Sequence, residues 1–246
     1  MKLRNAVIWI LLIVSAGFLQ SALVTTNIIT SGDTYASSAA PASENGAKEH
    51  IWVRSWTNAS SNPDSMKAYL KFVLPSDMVA GSITGAGLTF VRQGTAIGID
   101  LTMNLYGLTL AQSWIEKGGG AGNNLTWNNA PANDTGSMWG FTSDAKLLAS
   151  SLWVKGSEGE AVSIASSADW VAFLNTFDPG DTVTLMLAHD SPLDNAGVTR
   201  LASREHATLD APTLTLEYTQ IPEPATIGIL GGGCILLLLA RRSHKK

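Results

Sequence analysis

Short stretches of alternating or β-branched residues recur along residues 31–219, and clusters of Gly, Ser, Thr, Asn and Asp separate them about every ten residues. They are HIWVRSW (50–56), KAYLKFVLP (67–75), AGLTFVRQ (86–93), IDLTMNLYGLT (99–109), TVTLMLAHD (182–190), VTRLASRE (198–205) and PTLTLEYT (212–219). Successive side chains of a strand point to opposite faces, so each stretch has one face to bury and one to spare. Many short strands of this kind bury those faces by pairing antiparallel and stacking as two sheets. The expected fold is therefore all-β, an antiparallel, jelly-roll-like β-sandwich. Helical spacing appears only in SSADWVAFLNTF (166–177), where Trp170, Phe173, Leu174 and Phe177 share a face.

The two ends have a different texture. Lys2 and Arg4 precede the apolar run AVIWILLIVSAGFL, and small residues follow. This order reads as a secretory signal peptide over residues 1–23, cleaved after Ala16 or near Ala22; an uncleaved anchor is the alternative. At the other end, Ala225–Ala240 holds 16 residues without a charge. As a helix the run reaches roughly 24 Å, against about 30 Å of hydrocarbon. Such a helix is a marginal span, and Gly231–Gly233 weaken it further. The basic residues after it favour the cytoplasmic side and leave the body outside.

Pro222-Glu223-Pro224, the short glycine-bearing apolar run and Arg241-Arg242 together resemble the PEP-CTERM sorting signal of exported bacterial proteins, over residues 221–246. The resemblance implies temporary anchoring in the inner membrane. A membrane protease of the exosortase type would then cut near Pro-Glu-Pro and release the body to the cell surface or extracellular matrix. A plain C-terminal membrane anchor is the simpler alternative.

Between the ends, residues 31–219 carry 10 basic and 19 acidic residues, a net charge of −9 by that count. An acidic body argues against nucleic acid as a partner. The single cysteine, Cys234, lies in the tail, so the body has neither a disulfide nor a cysteine metal site. A second resemblance follows from the order of its segments: DTYASSAAPASENGAKEHIWV, KAYLKF, AGLTF, LTWNNAP, SREH and APTLTLEY. Over 31–219 this order is similar to the DNRLRE domain family, with LTWNNAP (125–131) and AYLKF (68–72) the most specific pieces. The resemblance implies a β-sandwich module on an exported protein. Some relatives are carbohydrate-binding modules, including binders of acidic polysaccharides.

The four histidines show no ligand spacing, and neither a nucleophile elbow nor a P-loop is present. Ser143 and Lys146 fit S-x-x-K without its companion motifs. Asp33, Asp190, Asp194 and Glu205 are the acids to inspect for a glycosidase pair; turn, cap and salt-bridge roles are the alternative. HDSPLDNAG brings Asp190, Asp194 and Asn195 into one loop, and Glu205 ends the next strand. These four are the candidate ligands of one structural calcium, which takes oxygen donors from flexible loops. The same loop also reads as ordinary turn chemistry, and Arg204 beside Glu205 reads as a salt bridge.

Aromatics supply the other lead. Alternation puts Trp52, Arg54 and Trp56 on one face of the first stretch, and Lys67, Tyr69 and Lys71 on the polar face of the second. A hairpin-like return between them would join the two faces into one aromatic–cation strip. Sugar rings stack on aromatic faces and cations suit uronates or sulfates, so the strip is the candidate carbohydrate site. Burial of the tryptophans under residues 33–48 is the competing reading. Trp127 reads as a loop anchor, with Asn128 and Asn129 bonding backbone. The sequence thus predicts an exported, non-catalytic module with extracellular polysaccharide, secretion machinery and exosortase as partners. A polysaccharide-degrading enzyme and a purely structural envelope protein or adhesin are the alternatives.

Overall fold

The computed structural model describes residues 21–58, 61–94, 100–109, 113–118, 124–154, 156–189 and 197–221. The expected signal peptide and the 221–246 sorting segment, including Pro222, Glu223, Pro224, Arg241 and Arg242, lie outside them apart from residues 21–23 and Ile221. Among the described residues no helix is long and apolar enough to cross a membrane.

Among the described residues, eleven strands and one short helix follow in order. They are β1 (Ala22–Ile29), β2 (Gly32–Ser37), β3 (His50–Asn58), β4 (Ser61–Val73), β5 (Gly85–Val91) and β6 (Leu101–Leu108). Then come β7 (Ala145–Trp153), β8 (Ala161–Ile164), α1 (Ala168–Leu174), β9 (Thr182–Ala188), β10 (Gly197–Ala202) and β11 (Thr213–Gln220). Every strand pairing is antiparallel. One sheet has the order β1-β11-β5-β8; the other runs β10-β3-β4-β9-β6-β7, with β2 also on β4. All seven stretches read as strands contain one, and the helical stretch holds α1. Strand β1 was not marked by its sequence: it begins before residue 31, and its alternation of exposed and half-buried positions is that of a sheet edge.

The main core lies between the sheets. Ala68, Leu70 and Phe72 of β4 meet Leu88 and Phe90 of β5 and Leu214 and Leu216 of β11. Helix α1 closes this core with Trp170, Phe173 and Leu174. Its N-cap is Ser167, whose Oγ accepts the Trp170 N–H at 3.1 Å, the bond that satisfies a free first-turn donor. Gly107 of β6 makes the close approach possible: a Cβ there would stand 2.5 Å from the Phe173 ring.

A second apolar layer covers the other face of the larger sheet. Tyr69, Tyr106 and Met186 project from the strands, and Trp114, Leu125 and Trp127 descend on them from residues 113–118 and 124–144. This roof has little regular structure, so side-chain bonds hold it. Asn129 Oδ1 accepts the Thr126 N–H at 2.7 Å, and Asn133 Nδ2 donates to the Trp127 carbonyl at 2.7 Å.

Candidate functional site

The register of β3 on β4 decides which side chains can act together. Arg54 stands opposite Met66, Ser55 opposite Ser65 and Trp56 opposite Asp64. Residues directly opposite share a face, and a shift of one residue exchanges the faces. Arg54 and Trp56 therefore share their side with Asp64 and Met66, while Lys67, Tyr69 and Lys71 belong to the opposite side of β4; Trp52 lies beyond this ladder and pairs with Arg200 of β10. The alternation expected within each strand holds; the expected union of the two polar faces does not. The structure thus divides the strip in two.

The β4 half is roofed. Lys67 and Tyr69 are both 0% exposed. Lys67 Nζ donates to Asn133 Oδ1 at 2.7 Å and to the Gly140 carbonyl at 2.6 Å. It also sits 4.5 Å from the Phe141 ring centre and 4.8 Å from that of Trp127. Burial pushes this ammonium down to about 8, and Asp134 opposes the shift. Burial also raises the Tyr69 phenol. Lys71 lies 4.3 Å over Trp114 and donates to its carbonyl. These cations are tent-pegs for the roof, and a sugar ring has no access to Tyr69. Trp127 is buried in this layer, in the anchoring place its sequence indicated.

The β3 half stays half-exposed and continues onto β10, where Arg200 stands opposite Trp52. The Arg200 guanidinium lies 5.8 Å over Trp52, and that of Arg54 4.2 Å over Trp56. Arg54 also pairs with Asp64 at 3.2 Å, and Asp64 is held by the Ser37 and Ser38 hydroxyls. His50 extends the row, its ring 5.7 Å from Trp52 and 6.2 Å from a stacked Tyr35. Burial pulls the His50 imidazole down to about 4, assisted by the positive charges of Arg200, Lys48 and His206. Cations therefore converge here although the chain as a whole is acidic. The row, and the parts played by Arg200, His50 and Lys48 in it, were not legible in the sequence, because the pairing of β10 with β3 is a tertiary choice. Among the described residues, Trp52 Nε1, Arg54 Nε and Arg200 Nε find no acceptor.

Of the calcium candidates, Asp190, Asp194 and Asn195 lie outside the described residues. Glu205 is described, and it meets Asp33 and Glu116: one carboxylate oxygen from each lies within 4.8 Å of the other two. The expected Arg204–Glu205 contact is present, with Nε 3.0 Å from Oε1. Burial raises Asp33 to about 7; the Arg204 N–H bond opposes this, and the charges of Glu205 and Glu116 add to it. A glycosidase acid and nucleophile stand about 5–5.5 Å apart across an open cleft. Here Asp33 is 1% exposed, which does not suit that chemistry. Glu116, in WIEKGGG, carried no sequence signal; only folding brings it to Asp33.

Two packed antiparallel sheets bearing an aromatic–cation row describe a β-sandwich module of the binding type. The model of carbohydrate-binding module family 96 matches residues 24–147, half of the chain. The chain belongs to that family. The matched span runs from β1 through the roof and includes Trp52, Arg54 and Trp56. No curated protein matches the chain significantly.

Proposed function

We propose that this protein is an exported, non-catalytic module that binds an acidic polysaccharide on the β3–β10 row. The observation that carries the reading is Arg200 lying over Trp52, with Lys48, His50 and His206 around it, on an acidic chain. An indole face offers a stacking surface to a sugar ring, and guanidinium groups offer forked donors to its carboxylate. Family membership supports carbohydrate as the ligand class. Clustered cations support an anionic member of that class, and repulsion from the acidic remainder would confine the polymer to this row. Export, transient anchoring and exosortase-type release rest on the signal-like residues 1–23 and the PEP-CTERM resemblance of 221–246.

Affinity electrophoresis of the full chain in polygalacturonate gels tests the site. Trp52→Ala, Trp56→Ala and Arg200→Ala should each lose most of the retardation. Wild-type retardation in all three variants would remove the row from consideration. A loss of roughly 3–5 kcal/mol of stability in Trp52→Ala would mark the ring as core and favour a structural role, since large-to-small changes in packed interiors cost that much.

A further inference from the structure

Three segments bring their carboxylates to one place beside the β3–β10 row: Asp33 from β2, Glu116 from the 113–118 loop and Glu205 from the turn after β10. Four of the six carboxylate oxygens have partners. Glu205 Oε1 accepts from Lys117 at 2.7 Å and from Arg204 at 3.0 Å. Glu116 Oε2 pairs with Arg204 at 3.3 Å, and Glu116 Oε1 accepts the Asp33 N–H at 3.2 Å. Asp33 Oδ2 accepts the Arg204 N–H at 2.9 Å. Two oxygens find no donor among the described residues, Asp33 Oδ1 and Glu205 Oε2.

Asp33 is 1% exposed, so bulk water does not reach the orphan oxygen. A buried acceptor left unpaired is costly, and three carboxylates in so small a space repel one another. The loop that brings Glu116 is also clamped: a Cβ on Gly46 would stand 2.0 Å from the Glu116 carbonyl oxygen, so only glycine fits there. The carboxylates are thus held together in spite of their repulsion.

We infer that Asp33, Glu116 and Glu205 form a site for a hard divalent cation of the calcium type, with Asp33 Oδ1 and Glu205 Oε2 as its inner protein ligands. The donor set is all oxygen, without imidazole or thiolate, which selects calcium or magnesium over zinc. Irregular donors from three segments suit calcium, which accepts roughly six to eight oxygens in flexible geometry; magnesium demands a near-ideal octahedron. Water and nearby carbonyls complete the shell. The rival occupant of the orphan oxygen is a proton. This inference does not depend on the polysaccharide reading.

Terbium luminescence tests it directly, because the Trp114 ring lies 4.0 Å from the Cβ position of Gly32, beside the cluster, and can sensitise a bound lanthanide. The full chain, stripped with chelator, should show terbium emission on indole excitation. Calcium should displace that emission at concentrations where magnesium does not, and calcium should raise the melting temperature. Asp33→Asn and Glu205→Gln should each weaken terbium binding about tenfold or more, since affinity follows ligand charge. Each should also abolish the calcium-dependent rise in melting temperature. Far-UV circular dichroism identifies a variant that has not folded, and the other then carries the comparison. Absence of emission in wild type, or equal emission in both folded variants, would overturn the site. Equal displacement by magnesium would overturn the calcium assignment.

Discussion

Two buried or half-buried basic side chains, Lys67 and His50, serve different ends. Lys67 is held by two acceptors and two rings, so its charge is spent on the roof. Lys67→Met keeps most of the volume but leaves Asn133 Oδ1 and the Gly140 carbonyl without that donor. The expected loss is about 2 kcal/mol, measured by urea unfolding, because an unsatisfied buried acceptor costs about that much. His50 works in the opposite sense. Its imidazole titrates at about 4 in the folded protein and near 6.5 when unfolded. Between those values the unfolded chain takes up the proton and the folded chain does not, so stability falls as pH drops through that window. His50→Gln should flatten that part of the pH–stability curve. A polyuronate on the row would set carboxylates near His50 beside Arg200, Lys48 and His206. The imidazole titration, followed by NMR, should then move upward on adding polygalacturonate; an unmoved titration would speak against binding at this face.

Elements explain which readings of the sequence reached the structure. Seven strands and α1 were legible because period two and period 3.6 are local properties of side-chain spacing. Register was not legible. It depends on where the β3–β4 turn sits and on the irregularity between Trp56 and Asn58, and one residue of shift exchanges every face. That single choice separated Arg54 and Trp56 from Lys67, Tyr69 and Lys71. The roof was illegible for another reason: its Trp114 and Trp127 sit in irregular segments whose packing only the finished sheet determines. Element packing also makes a sharp prediction at Gly107. A methyl group there meets the Phe173 ring of α1, so Gly107→Ala should cost about 1–3 kcal/mol through overpacking. Phe173→Leu added to that variant should recover part of the loss, read as a double-mutant cycle in thermal unfolding.

At the scale of the molecule, charge distribution links the fold to its proposed task. The body between residues 31 and 219 is strongly acidic, with 19 acidic against 10 basic residues, yet the cations Arg54, Arg200 and Lys48 gather around one row. The tail belongs to the same scale. Deleting residues 221–246 should release the protein from the membrane fraction of expressing cells, and continued membrane fractionation after signal cleavage would contradict the sorting proposal. The most direct measurement of the central claim is a titration of the full chain with polygalacturonate and with neutral dextran at several salt concentrations. Polygalacturonate should bind, and its affinity should fall steadily as salt rises, because exposed charge attraction is screened within about 10 Å at 0.1 M. Dextran should bind far more weakly and without salt dependence. Equal binding of the two polymers, or none of polygalacturonate at low salt, would contradict an acidic polysaccharide as the ligand.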